Sequence, residues 1–143
     1  MLFVASGAFQ ESKPSDMLAE LQGRLPIRVE LNGLNADDLR RILVEPKTNL
    51  VKQQVQLMSA EGVTLEITDD AVTEIANKAA EINSTVENIG ARRLHTVLER
   101  IMEDISFNAP DLDKSQPVVV NAELVKEKLS GMLEKTDLKK FIL

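Results

Sequence analysis

The sequence contains no cysteine, so disulfides and thiolate metal sites are excluded, and this absence suits a reducing compartment such as the cytoplasm. Tryptophan and tyrosine are also absent, and aromatic residues make up only 3% of the chain. Stacking platforms for bases or sugars are therefore not expected, and the core must be aliphatic. No apolar run reaches the ~18 residues of a membrane-spanning helix, and the first residues lack the order of a signal peptide. We expect a soluble cytoplasmic protein.

The chain also lacks a positive balance of charge, since its formal net charge is −6 and its isoelectric point lies near 4.9. Binding to nucleic acid needs lysine and arginine clustered on a basic surface, so that class of protein is not expected. A phosphate-binding loop of the form G-x-x-x-x-G-K-[ST], a usable acidic metal cluster and a Ser-His-Asp arrangement are missing too. We therefore predict no metal site and no catalysis by this chain alone.

From residue 32 onwards, helical periodicity dominates the sequence. Asn35, Thr68 and Asn121 are predicted to cap helices at their N-termini, and Gly62 is predicted to end one. Pro46 ends or bends the first of these helices. A second helix follows over residues 47–61, with a predicted apolar stripe of Leu50, Val51, Val55, Leu57 and Met58.

Two short apolar segments, residues 64–67 and 117–120, are predicted to pair as strands. The 143 residues, 43% of them apolar, suit one small domain plus a fragment. We predict an α+β, mainly α, fold: a four-helix bundle with a small two-stranded β-sheet over residues 32–143. Residues 1–31 are predicted to form a strand-helix-strand remnant of something larger, with strands at 1–6 and 27–31 and a helix at 17–25.

The segment over residues 87–105 combines the longest apolar periodicity with an unusual beginning. Its predicted buried stripe consists of Leu94, Val97, Leu98, Ile101, Met102 and Ile105. Two arginines, Arg92 and Arg93, stand where the helix dipole is unfavourable to cations by roughly 0.3–1 kcal/mol each. Either both are exposed and pair with Glu87 or solvent, or they bind an anion such as phosphate together with free amides of the helix start. The periodicity places Arg92 nearly opposite the stripe, and His95 is assigned no role.

Two further stretches are candidates for contacts. Arg24 lies between Gly23 and the rigid Leu25-Pro26 pair and could reach a neighbouring molecule, although a surface pair with Glu20 is the simpler interpretation. The chain ends in Phe141, Ile142 and Leu143, which either fold back onto the core or anchor the chain in a partner's pocket.

Four motifs taken together resemble one family: GAFQ at residues 7–10, ELQGRLPIRVEL at 20–31, ENIGARRLHTVLER at 87–100 and the terminal FIL. They resemble the ATPase subunits (HslU, or ClpY) of the HslUV (ClpYQ) proteases, which are bacterial AAA+ unfoldases. The resemblance runs over essentially the whole chain. It implies that residues 1–31 are the end of the large ATPase domain, carrying the arginine-finger segment. It also implies that residues 32–143 are the small lid domain.

The same resemblance implies the roles of individual residues. Arg92 matches the sensor-2 arginine that contacts ATP, Arg24 matches the arginine finger offered to a neighbouring subunit, and Glu20 falls near the nucleotide. The terminal Phe141, Ile142 and Leu143 match the tail that docks the HslV (ClpQ) peptidase. Further implications are a hexameric ring of ATPase subunits, Mg²⁺ with the ATP, protein substrates and a part in the stress response. Because the phosphate-binding loop of that family is absent here, we expect this chain alone to bind ATP weakly or not at all and not to hydrolyse it.

Two alternatives stay open. The chain could be a freestanding α-helical adaptor whose arginines and terminal triplet bind protein partners. It could also be a purely structural bundle in which none of these residues makes a functional contact.

Overall fold

The structure, a computed structural model, describes residues 1–9 and 11–130. Its contacts divide the chain into two compact units, Met1–Asn32 and Gly33–Leu143. The apolar triplet predicted to dock a partner, Phe141, Ile142 and Leu143, lies outside the described residues.

The first unit contains one α-helix, α1 (Ala19–Arg24), preceded by a 3-10 turn at Pro14–Asp16. The strands predicted at residues 1–6 and 27–31 are wrong for this structure, because neither segment forms a ladder. A strand is stabilised by hydrogen bonds to a neighbouring strand, and the described residues of this unit provide none. The apolar side chains of the second segment, Ile27, Val29 and Leu31, therefore remain exposed.

The second unit is mainly helical, as predicted. Its helices are α2 (Ala36–Val44), α3 (Leu50–Ala60), α4 (Asp69–Thr85), α5 (Arg92–Asn108) and α6 (residues 122–130). These are five segments within the described part, compared with four in the predicted bundle. Pro46 and the cap at Asn49 separate α2 from α3, close to the boundary predicted between the first two helices. The remaining regular elements are the strands β1 (Leu65–Ile67) and β2 (Val118–Val120), which form the predicted two-stranded sheet. None of the described helices is long and apolar enough to cross a membrane.

The predicted helix ends are confirmed by their hydrogen bonds. The side-chain oxygens of Asn35, Thr68 and Asn121 accept from the amides of Asp38, Ala71 and Leu124, respectively. Gly62 adopts a φ of +77°, and the amide of the following residue, Val63, donates to the carbonyl of Met58 at 2.9 Å. This is the geometry of a Schellman turn, which explains why a glycine ends α3.

The sheet is parallel, with Leu65, Glu66 and Ile67 opposite Val118, Val119 and Val120. The amide of Thr68 also donates to the carbonyl of Val120 at 3.1 Å, so the residue that caps α4 is fastened to the end of β2. A parallel pair needs a long connection, and here α4 and α5 provide it. The pairing of β1 with β2 thus joins the segment before α4 to the segment after α5.

The core of the second unit is aliphatic and surrounds α4. The predicted stripe of α5 is confirmed: Leu94, Val97, Leu98, Ile101 and Met102 are buried, and Ile105 is partly buried. Leu57 was predicted on the buried stripe of α3, but it is 61% exposed, because the inward face of that helix runs through Met58. At the surface, the Lys128 ammonium of α6 hydrogen-bonds the Asp104 carboxylate of α5 and lowers its pKa.

Asn49, which begins α3, is a buried polar residue that the sequence pattern alone did not single out. Its side chain is only 4% exposed. Its Nδ2 donates to the carbonyls of Val44 and Pro46 at 3.0 and 3.1 Å, and its Oδ1 accepts from the amide of Lys52 at 2.8 Å. One amide side chain therefore joins the end of α2 to the start of α3.

Asn49→Ala should remove these partly buried bonds and leave the carbonyls of Val44 and Pro46 and the amide of Lys52 without this partner. We expect the free energy of unfolding of the 143-residue chain to fall by about 1–3 kcal/mol, measured by urea denaturation. Arg41→Ala, which removes an exposed ion pair with Glu45, is the control and should cost at most about 1 kcal/mol. A loss below about 0.5 kcal/mol for Asn49→Ala would contradict its role at this junction.

Candidate functional site

The candidate site of the second unit is the connection between α4 and α5, residues 86–91, together with the first turn of α5. Helix α4 ends at Thr85, and the chain reverses through Gly90, whose φ of +60° lies in the left-handed region that favours glycine. The chain enters α5 through tight turns, because the amides of Arg93 and Leu94 donate to the carbonyls of Gly90 and Ala91 at 3.2 and 3.1 Å. This geometry sets the direction in which the first side chains of α5 project.

Asn83, in the last turns of α4, hydrogen-bonds to this connection and to the first turn of α5. Its Oδ1 accepts from the amide of Ile89 at 3.3 Å and from the Nε of Arg93 at 3.1 Å. Its Nδ2 donates to the carbonyl of Gly90 at 3.2 Å. The sequence analysis missed this residue, although it continues the buried face that runs through Ala79 and Ile82, and a polar residue on such a face signals a buried network.

Arg93 is held by this network. Besides the bond to Asn83, its guanidinium donates to the carbonyl of Glu87 at 2.7 Å, and the side chain is half-buried. The sequence analysis left open a pairing of both arginines with Glu87. In the structure Arg93 does contact that residue, but through the backbone carbonyl. The unfavourable interaction of the Arg93 charge with the positive end of the helix dipole is offset by these hydrogen bonds.

Arg92 behaves differently from its neighbour. It is exposed, on the side of α5 opposite the buried stripe, as the periodicity predicts. Its guanidinium forms no hydrogen bond or ion pair with any of the residues 1–9 and 11–130. His95, one turn further along, is also exposed. Of the two arginines, Arg92 is thus the one whose guanidinium makes no bond within the described part of the chain.

The start of α5 offers further donors beside Arg92. No side chain caps the helix at Ala91, and its first turn carries no acidic residue. Within the described part of the chain, the amides of Ala91 and Arg92 have no hydrogen-bond acceptor. Free amides and a planar guanidinium at the positive end of a helix dipole suit an anion such as a phosphate group. The arrangement can therefore bind phosphate oxygens.

The second predicted site lies in the first unit, on α1. Glu20 and Arg24 are both exposed, and the ion pair that the sequence analysis favoured for them does not form. Between them, Gln22 donates through Nε2 to the carbonyls of Ser15 and Met17 at 3.0 and 2.6 Å and accepts from Arg28 at 3.2 Å. Gln22 therefore fastens both flanks of the segment that presents Arg24, while the donors of Arg24 make no bond to a described residue.

Metal chemistry finds no support in this part of the molecule. Among residues 1–9 and 11–130, no group of three or more His, Asp or Glu side chains is placed to hold a metal ion.

Comparison with known proteins extends this picture. Residues 34–110 match the family model of the C-terminal, D2-small domain of ClpB protein. Over all 143 residues, the chain is 57% identical to proteins named ATP-dependent protease ATPase subunit HslU from Rhodopseudomonas palustris (strain HaA2), Rhodospirillum centenum and Nitrobacter hamburgensis. In each case the whole chain is covered, but it spans only 32–33% of the relative's length.

The similarity confirms the resemblance that the motifs indicated, since it runs over the whole chain and corresponds to the C-terminal third of HslU. The matched family model also covers more than half of the chain and agrees with its mainly helical fold. The chain therefore belongs to the family of the C-terminal, D2-small domain of ClpB protein, the C-terminal helical domain of AAA+ proteins.

Proposed function

We propose that this chain is the C-terminal regulatory and assembly part of an AAA+ ATPase subunit, which unfolds proteins for an ATP-dependent protease of the HslUV type. Similarity over the whole chain to relatives named ATP-dependent protease ATPase subunits supports this assignment. Residues 1–31 would then be the end of the large ATPase domain, and residues 32–143 the small lid domain. The parent subunit, rather than this chain alone, would hydrolyse ATP.

The observation that carries the proposal is the difference between the two arginines at the start of α5. Arg93 is engaged by Asn83 and the carbonyl of Glu87, whereas Arg92 is exposed beside free amides. A guanidinium in this setting fits the phosphate oxygens of ATP, which is the contact of a sensor-2 arginine. Because Arg92 is fixed to the lid helix, such a contact would tie the position of the lid to the state of the nucleotide.

In the first unit, Arg24 would act as the arginine finger toward ATP held by a neighbouring subunit, and Glu20 would lie near the nucleotide. The support is its exposure, its free donors and the two-sided attachment of the segment by Gln22. An arginine that meets the charge developing during phosphoryl transfer needs to be presented on a firm support.

The remaining parts of the proposal concern partners and setting. Copies of the subunit would form a hexameric ring in the cytoplasm, with a part in the stress response. Mg²⁺ would be held with ATP mainly by the ATPase domain that this family carries ahead of the lid. Phe141, Ile142 and Leu143 would dock the HslV (ClpQ) peptidase, and protein substrates would be gripped elsewhere in the subunit. A freestanding adaptor is supported less well, because every part of the chain aligns with ATPase subunits.

The role of Arg92 can be tested in a chimera in which this chain replaces the aligned third of the Rhodopseudomonas palustris HslU subunit. Arg92→Ala should raise the Kd of a non-hydrolysable ATP analogue by about 10–100-fold, which is the loss of affinity expected when a hydrogen bond to a charged group is removed. Calorimetry measures the effect. Arg100→Ala is the matched control, because Arg100 lies on the same helix and pairs with Glu103. Equal affinities of the two variants would contradict a sensor role.

For Arg24, we expect Arg24→Ala to lower the kcat of ATP hydrolysis by the chimera by about 10³-fold, with a smaller change in the KM for ATP. Rings that mix this variant with subunits whose phosphate-binding loop is disabled should regain hydrolysis, because the disabled subunit supplies Arg24 to its neighbour. Arg41→Ala, which removes another exposed arginine, is the control. No recovery in mixed rings would argue against a contact in trans.

The terminal triplet is tested through the peptidase. Deleting residues 141–143 from the chimera should return peptide cleavage by the HslV of the same organism to the rate without the ATPase, because an apolar anchor is lost. Replacing Lys139 and Lys140 with alanine, which leaves the triplet in place, should preserve most of the stimulation. Full stimulation by the truncated subunit would rule out docking through the tail.

A further inference from the structure

We propose that Asn83 and Arg93 are positioning residues for Arg92, and that their shared hydrogen bonds set where its guanidinium projects. This inference rests on the proposed contact between Arg92 and nucleotide, and it assigns the neighbouring residues to the same site. The hydrogen bonds among Asn83, Ile89, Gly90 and Arg93, with that from Arg93 to the carbonyl of Glu87, are named the Asn83 network below.

Asn83 is buried beneath the connection between α4 and α5. Its side chain is 8% exposed, and three hydrogen bonds use both ends of its amide. Two of these bonds reach the backbone of the α4–α5 connection, at Ile89 and Gly90. Because the oxygen and the nitrogen of this buried amide are both hydrogen-bonded, another conformation would leave these polar groups without partners away from water.

Arg92 lies between two fixed points. On one side, the carbonyl of Gly90 accepts from the Asn83 side chain and from the amide of Arg93. On the other side, the guanidinium of Arg93 is bound to Asn83 and to Glu87. The Cα of Arg92 is therefore anchored on both sides, while its own side chain bonds to none of the residues that the structure describes. The network fixes the base of the side chain and leaves its donors for a ligand.

Such an arrangement affects the free energy of binding. A ligand that must order a loose loop loses part of its binding free energy, and a loop already in place removes that cost. The charge of Arg93 is already engaged by the network, which leaves Arg92 as the arginine of this pair that faces an incoming phosphate. Asn83 and Arg93 thus act through Arg92 and do not touch the nucleotide themselves.

The chain contains its own comparison for a purely structural asparagine. Asn49 is buried like Asn83 and also makes three hydrogen bonds, but all of them lie at the junction of α2 and α3 and none involves residues 86–93. Loss of Asn49 should therefore lower stability without changing the placement of Arg92. A comparison of the two alanine variants separates positioning from general support of the fold.

A first measurement follows the connection itself. In the 143-residue chain, Asn83→Ala should speed amide hydrogen exchange of Ile89 by about ten-fold or more, because that amide loses its acceptor. Asn49→Ala and Arg92→Ala should leave this amide unchanged. Unchanged exchange in Asn83→Ala would overturn the proposal, since the connection would then be held without the network.

The second measurement uses the chimeric HslU subunit and a non-hydrolysable ATP analogue. Asn83→Ala should raise the Kd by about ten-fold, because the ligand must then order the connection that the network otherwise holds in place. Arg93→Lys, which keeps the charge but loses the planar fork, should give a smaller rise than Arg93→Ala. Asn49→Ala should leave the Kd unchanged.

A double-mutant cycle decides whether Asn83 acts through Arg92. In an Arg92→Ala background, Asn83→Ala should cause no further rise in Kd, because the residue that it positions is gone. Additive effects of the two changes would overturn the positioning role even if each single change weakens binding. If Arg92→Ala alone leaves the Kd unchanged, the proposed nucleotide contact fails. If it weakens binding while Asn83→Ala does not, only the positioning role fails.

Discussion

The close packing of α4 against its neighbours is the constraint on which the second unit depends. Its buried face carries three alanines, Ala71, Ala76 and Ala79, none more than 1% exposed, alternating with larger aliphatic residues. Small side chains let helix backbones approach, and the larger ones fill the grooves between ridges. α2 and the stripe of α5 pack against this helix, and the two-stranded sheet closes around the pair formed by α4 and α5. Because the chain has few aromatic residues, the core is packed mainly by aliphatic side chains of complementary shape.

The same face of α4 carries the residue that organises the candidate site. After Ile82 the buried side of α4 does not end in an apolar residue but in Asn83, whose amide faces the returning chain. The core thus passes directly into a polar network that holds the start of α5. Because one helix pair carries both the packing and the network, a shift of α5 against α4 would move Arg92 and break hydrogen bonds together. Nucleotide binding at this place, as proposed, would couple to the packing of α5 against α4 for the same reason.

Local chemistry made much of this fold predictable from the sequence. The caps at Asn35, Thr68 and Asn121 and the turn at Gly62 depend on residues three or four positions away, so the sequence displays both partners. The strands predicted at residues 1–6 and 27–31 failed because a strand needs a neighbour that sequence alone does not supply. The divergent roles of Arg92 and Arg93 were equally hidden. Within the described part of the chain, Arg93 is hydrogen-bonded and Arg92 is not, because Asn83 binds only Arg93 of the two. The other partners of Asn83 lie in the loop that turns at Gly90, and the sequence does not show that this loop returns to Asn83.

The electrostatics of α5 is where fold and proposed function meet. A cation in the first turn of a helix costs roughly 0.3–1 kcal/mol, and α5 carries two of them without an acidic residue to offset the charge. For Arg93, the hydrogen bonds to Asn83 and to the carbonyl of Glu87 offset that free-energy cost. For Arg92 no described residue does so, although a neutral residue at an exposed position would fold equally well. A charge that destabilises the fold without a compensating contact is expected where the side chain binds a ligand. Arg92, in the first turn of α5, is such a charge.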